Sequence, residues 1–151
     1  MEKIKKLQIQ HLDSKLREYR KFPDPPQKGW IRATRTALNM TLQQMGDIMG
    51  IAASNVLDME RREIDGTVTL KTLRKAAKAL NTNIVYGFLP VDGTFEKMLE
   101  NRALIVARKI VARTNATMKL EDQSVSKEHL EKAIKELAEE IKNEIPKYLW
   151  D

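Results

Sequence analysis

Residues 42 to 61, LQQMGDIMGIAASNVLDMER, leave this chain few ways to fold. Gly50 stands between two amphipathic segments, where a chain leaving one helix must adopt positive φ, and glycine does so without a Cβ penalty. Thr41 is placed to cap a helix over 42 to 49, with Met45, Ile48 and Met49 as its inward stripe at spacings of three and four. Gly46 interrupts that helix at a cost of about 1 kcal/mol against alanine, which points to close approach of the next helix. After the turn, Ile51 plugs the corner, and Val56 and Met59 form the buried side of a second helix over about 53 to 61. Ala52, Ser54, Asn55 and Asp58 face outward.

Two short helices crossing at a tight turn make a helix-turn-helix, a device that lays its second helix in the DNA major groove. The spread of Met45, Gly46, Met49, Gly50, Ile51, Val56, Met59 and Glu60 resembles the lambda-repressor-like (XRE) helix-turn-helix family. GWIRATRTALNM before it and TLKTLRKAAKALN after it extend the resemblance as first and fourth helices, over about residues 28 to 82. Within that family, KGWIRATRTALNMTLQQMGDIMGI, EIDGTVTLKTLRKAAKALN and the terminal LWD resemble the group called mobile mystery protein A. That resemblance implies an antitoxin-type regulator and a Fic-domain toxin as partner.

At 151 residues there is room for one domain with a real core plus an attached element. No cysteine is present, which excludes disulfides, thiolate metal sites and cysteine nucleophiles. No apolar run approaches the length of a membrane span, and the lysine-rich start EKIKKLQIQHLDSKLREYRK has no signal-peptide core, so a cytoplasmic location without membrane contact is expected. The net charge of +6 is uneven. Residues 1 to 37 hold ten Lys/Arg and four Asp/Glu, residues 38 to 90 six and five, and residues 91 to 151 eleven and twelve. Positive charge gathered beside a helix-turn-helix suits a polyanion, because phosphate neutralisation drives non-specific nucleic-acid binding.

Residues 2 to 21 read as a basic amphipathic helix docking through Ile4, Leu7, Leu12, Leu16 and Tyr19, and stopped near Phe22 by Pro23, Pro25 and Pro26. The link PDPPQKG leads into four or five short helices between 29 and 80, with Trp30, Ala33, Leu38, Leu70, Leu73, Ala77 and Leu80 as expected core, Thr69 as a cap and Asn81 as a stop. NIVYGFLP at 83 to 90 turns β-branched and aromatic and predicts a strand over 84 to 89. A lone strand needs a partner, so Ile84, Val85, Tyr86 and Phe88 are expected to pair with a second copy across a two-fold axis; the alternative is a fifth core helix. A helix from Thr94 to about 114 carries Met98, Leu99, Leu104, Ala107, Ile110 and Val111, residues 115 to 125 read as a loop, and Ser126 caps a last helix ended by Pro146. Leu130, Ile134, Leu137 and Ile141 form that helix's stripe, an intramolecular core or a dimer seam. The expected fold is therefore mostly all-α. It comprises residues 1–27 as a basic helix and link, 28–82 as a helix-turn-helix domain, and 83–151 as a strand plus two helices for dimerisation or partner contact.

The chemistry available is that of binding. His11 and His129 lie far apart without a carboxylate arrangement suited to a metal, and there is no P-loop, no GxGxxG after a strand, no GxSxG and no HExxH. No catalytic residue, cofactor or metal is expected. Against double-stranded DNA, Ser54 and Asn55 have donors and acceptors for base edges, Asp58 can accept from cytosine N4, and Ala53 can touch a thymine methyl. Gln43, the start of the fourth helix at Thr69 and Lys71, and a rim of Lys28, Arg32, Arg61 and Arg62 suit phosphates. Relatives of the family frequently carry glutamine where this chain has Leu42 and Ala53, so direct readout is sparse and DNA shape gains weight. The expected function is a homodimeric, sequence-specific regulator repressing its own toxin–antitoxin-like operon. The alternative is an antitoxin that blocks a Fic-type toxin by direct contact, with DNA binding secondary or weakened. For the latter, the inhibitory pattern Ser/Thr-x-x-x-Glu-Gly/Asn has only near matches, Thr117 with Glu121 and Asp122, and Ser124 with Glu128 and His129.

Overall fold

The computed structural model describes residues 2–120 and 126–151, with the backbone alone for 118–120. All regular structure among them is helical: α1 (Glu2–Leu16), α2 (Trp30–Ala37), α3 (Leu42–Met49), α4 (Ala53–Asp65), α5 (Leu70–Ala79), α6 (Phe95–Leu120) and α7 (Lys127–Glu144), with short 3₁₀ turns at Tyr19–Lys21 and Lys147–Trp150. None of the described helices is long and apolar enough to cross a membrane. The chain divides into two compact units, Phe22–Tyr86 and Met1–Lys21 with Gly87–Asp151.

In the unit Phe22–Tyr86, the core is Ile31, Met45, Val56, Met59, Ala76 and Leu80, with Leu42, Met49 and Ile51 packed against it. Thr41 caps α3 by accepting from the Gln44 backbone N–H at 3.0 Å, and the Gln44 side chain accepts from the Thr41 backbone N–H at 2.9 Å. This closes a capping box. Gly50 ends α3 in the left-handed region at φ 71°. Gly46 is there because α4 begins against it, since a Cβ would stand 2.6 Å from the Ile51 carbonyl oxygen. Ile48, expected on the inward stripe, is 58% exposed. The packed arc is Leu42, Met45, Gly46 and Met49, and at roughly 100° per residue Ile48 points well away from its centre. Trp30 and Leu38 are likewise outside the core, because α2 turns Ile31 and Arg35, four residues apart, inward. Helix α4 runs four residues beyond the expected 61 and stops at Gly66, φ 76°.

Residues 84–89 form no strand and no fifth helix. A strand within one chain would have no ladder partner, and Gly87 and Pro90 interrupt any helix here. The chain leaves α5 through Asn81 at φ 53°, and the Thr82 N–H closes the helix end on the Ala77 carbonyl at 2.8 Å. Ile84, Val85 and Tyr86 then line a cavity of their own unit, and Phe88 is exposed.

In the other unit, α6 and α7 pack through Leu99, Ala103, Val106, Ala107, Ile134, Ala138 and Ile141, so the α7 stripe is intramolecular core. Helix α6 continues through 115–120, where a loop was expected, while 121–125 lie outside the described residues. Of the docking residues expected on helix α1, Leu16 is buried as expected, but the rest of the docking side differs. Asp13 accepts from the Phe95 and Glu96 backbone N–H groups at 2.8 and 3.2 Å, capping α6. Lys5 donates to the Ile145 carbonyl at 3.3 Å, Ile9 packs on the core, and Leu16 is buried. Lys5, Ile9, Asp13 and Leu16 recur at four, four and three, whereas Ile4, Leu7 and Leu12 remain exposed. The polar anchors decide the docking face.

Candidate nucleic-acid interface

The surface in question is built on α4. Val56, Met59 and Glu60 face inward, which turns Ser54, Asp58 and Arg61 outward along one stripe, with Asn55 and Arg62 flanking it. Ala53 lies about 100° from Ser54 around the helix and is half-buried beside the α3 contact. Helix α4 has no side-chain cap: its N-cap is Ala52, in contrast to Thr41 on α3 and Thr69 on α5. Ser54 and Asn55 are exposed, and neither side chain makes a hydrogen bond among the described residues. Both are free to meet a base edge.

The charged positions separate into engaged and free. Asp58 and Arg62 pair with each other at 3.1 Å, an exposed i,i+4 contact worth a few tenths of a kcal/mol. That pair lowers both the repulsion of phosphate by Asp58 and the freedom of Arg62 to grip one. The Gln43 amide donates to Asp47 at 2.8 Å along α3. Thr69 accepts from the Thr72 N–H at 3.1 Å and donates to the Thr72 hydroxyl at 2.9 Å, so its side chain is spent on capping α5. Lys28, Arg32, Arg61 and Lys71 make no ion pair among the described residues, Arg32 being half-buried and the others exposed.

Asn55, Asp58, Arg62 and Thr69 come together on one groove of about 360 Å³ between α4 and the start of α5. Ser54, Ala53, Arg61, Gln43, Lys71, Lys28 and Arg32 lie off it. Thr72 and Lys75 also line this groove and were not singled out from sequence. Their spacing of three and six from Thr69 on a capped helix is the signal that could have found them.

Besides the apolar core at Val56 and Met59, carboxylates behind the surface hold it in place. The Arg35 Nε donates to Glu60 Oε1 at 2.6 Å and Nη2 to Oε2 at 3.3 Å, and Nη1 reaches the Met40 carbonyl at 2.8 Å. Both side chains are almost wholly buried. Glu63, one turn on from Glu60, accepts from the Trp30 and Ile31 backbone N–H groups at 2.7 and 2.8 Å. It thereby caps α2 from the last turn of α4, over a glycine whose Cβ would stand 2.8 Å from the carboxylate. Helix α4 is thus fixed to α2 by two carboxylates and to α3 by a backbone approach that only Gly46 permits.

A helix-turn-helix family model matches residues 31–86. The match takes in α2 to α5 and the segment that follows, and it is the helix-turn-helix that the Gly50 turn and the Gly46 approach build. No curated protein and no solved structure matches the chain.

Proposed function

We propose that this protein is a DNA-binding transcription regulator that sets α4 in the major groove. The observation that carries the reading is the helix-turn-helix match over residues 31–86, joined to an α4 whose exposed side offers unengaged Ser54 and Asn55. These two read bases, with Asn55 suited to the N6 and N7 of adenine. Lys28, Arg32, Arg61, Lys71 and the α5 start at Thr69 serve the phosphates, and Ala53 offers at most a methyl contact. The protein acts as a homodimer on a pseudo-palindrome whose half-sites lie about one helical turn apart. Mobility-shift titration against its own upstream region, at several salt concentrations, tests this. Preference over random DNA is expected, together with a loss of roughly 1–3 kcal/mol of that preference in Ser54→Ala/Asn55→Ala. Equal affinity for random DNA overturns the reading.

The target of regulation is the protein's own operon, with a Fic-domain toxin encoded beside it. This rests on the resemblance of KGWIRATRTALNMTLQQMGDIMGI and EIDGTVTLKTLRKAAKALN to mobile mystery protein A. Direct inhibition of that toxin is the companion reading. Of its motif matches, Glu121, Asp122 and Ser124 lie outside the described residues. Co-purification with the neighbouring gene product, and loss of toxin activity in its presence, are the expected results.

A further inference from the structure

The helix-turn-helix unit holds a second concavity, of about 390 Å³, bounded by α2, the inner side of α5 and the extended segment 82–86. Its walls are apolar: Leu70, Leu73 and Ala77 form the floor, and the aromatic rings of Phe22, Trp30 and Tyr86 stand around it. Phe22 and Trp30 meet edge-on-tilted at 5.7 Å between centroids. Arg74 holds Tyr86 from outside, donating to its hydroxyl at 3.4 Å with the guanidinium 6.0 Å from the ring. Among the lining residues only Glu63 is charged. Three aromatic rings left partly in water around one carboxylate are not an economical way to finish a core.

We propose that this cavity binds an uncharged aromatic small molecule carrying a hydrogen-bond donor, and that the molecule is an effector of the helix-turn-helix. Size selects the occupant. The cavity's volume lies in the ordinary range for small-ligand sites. Chemistry selects the class. Ring faces favour a flat aromatic body, and the Glu63 carboxylate, which keeps lone pairs after accepting from Trp30 and Ile31, favours a donor and repels an anion. Position supplies the coupling. Glu63 belongs to the last turn of α4 and holds the first turn of α2, so a ligand donating to it acts on the contact that fixes α4. The coupling to DNA rests on the regulator reading above, whereas the ligand site does not.

The test uses the full chain and two probes with the same ring system, N-phenyl-1-naphthylamine and its sulfonated analogue 1-anilinonaphthalene-8-sulfonate. Fluorescence titration needs no DNA, so failure here and failure of the regulator reading are distinguishable. The amine is expected to saturate at one per chain with Kd on the order of 10–100 μM for a ligand of its size. The sulfonate is expected to bind at least about tenfold more weakly, its charge facing Glu63. Ala77→Leu, which fills the floor, and Tyr86→Ser, which removes a wall on an exposed segment, are each expected to weaken the amine about tenfold or more. Tyr86→Ser keeps the test alive should Ala77→Leu not fold. Non-saturable binding, equal binding of both probes, or no change in either variant overturns the site. So does amine binding that falls with rising protein concentration as a dimer forms, since the occupant is then a second copy. In mobility shifts, saturating amine is expected to change DNA affinity severalfold, and an unchanged affinity with intact amine binding overturns the effector role.

Discussion

Replacing Glu60 by leucine leaves the buried Arg35 guanidinium with only the Met40 carbonyl to answer it. The side chains are 9% and 3% exposed, so neither water nor rotation offers the stranded charge an escape. Removing one partner of such a pair costs about 3–5 kcal/mol, much of it the desolvation of the charge left behind. A domain of this size has a total stability of the same order, roughly 3–10 kcal/mol. The single variant is therefore expected to sit at or near the unfolding midpoint at 25 °C. Replacing both residues with apolar ones, Arg35→Met with Glu60→Leu, removes the stranded charge as well as the pair. Because isosteric apolar replacement of a buried pair is often neutral or better, the double variant is expected within about 1–2 kcal/mol of the parent.

Trp30 reports on this unit if Trp150, the other tryptophan, is first changed to phenylalanine. Urea titrations of the four members of the cycle, followed by Trp30 emission, give the midpoints and slopes. The signature is non-additivity of about 3 kcal/mol or more with unchanged slope, the double variant being more stable than Glu60→Leu alone. If Glu60→Leu costs under about 1 kcal/mol, or if the two single costs simply add, the buried pair does not organise the domain and the reasoning fails.

Three further perturbations follow from the same contacts. Gly46→Ala adds helix propensity, yet the new Cβ would stand 2.6 Å from a backbone oxygen, so thermal unfolding is expected at lower temperature, by a cost of about 1–3 kcal/mol. Glu63→Ala strips the cap from α2 and is expected to cost about 1–3 kcal/mol by chemical denaturation, with hydrogen exchange at Trp30 and Ile31 accelerating first. Thr41→Ala and Thr69→Ala each remove one cap and are expected to cost about 0.5–2 kcal/mol, and because they cap different helices the costs are expected to add in the double variant.

The parts of the fold that follow local rules were legible in the sequence. Gly50 at positive φ, the close approach at Gly46, the caps at Thr41, Thr69 and Ser126, and the burial of Val56 and Met59 each follow from one residue and its near neighbours. What was misread depends on partners distant in sequence. Helix α1 was oriented by its apolar side chains, but Asp13 docks on residues 95 and 96 and Lys5 on the carbonyl of 145, and the apolar pattern of α1 does not mark those polar anchors. Segment 84–89 was read as a strand from β-branched and aromatic content, which reports side chains that suit a pleated surface and says nothing of whether a second strand exists. The buried pairing of Arg35 with Glu60 was not read from the sequence, although position offers a signal. Each is four residues on from a buried aliphatic, Ile31 and Val56, and that spacing places both on inward arcs.

The same distinction governs the candidate interface. Exposure of Ser54, Asn55, Asp58 and Arg61 follows from the burial of Val56, Met59 and Glu60, so which residues can reach DNA is decided by the hydrophobic period. Their engagement is not. Asp58 is neutralised by Arg62, Gln43 is held by Asp47, and Thr69 is occupied by Thr72, which leaves Ser54 and Asn55 as unengaged uncharged polar groups on the proposed reading side, with Arg61 beside them. With Ala53 half-buried and Leu42 packed on the core, two short side chains are left for the base contacts of the proposed reading. At about 1–3 kcal/mol for a good bidentate contact, one Asn55 per half-site of the proposed complex would give modest discrimination. Recognition of the proposed kind depends on the orientation of α4, so Glu60 and Glu63, which fix α4 to α2, are as consequential for it as Ser54 and Asn55.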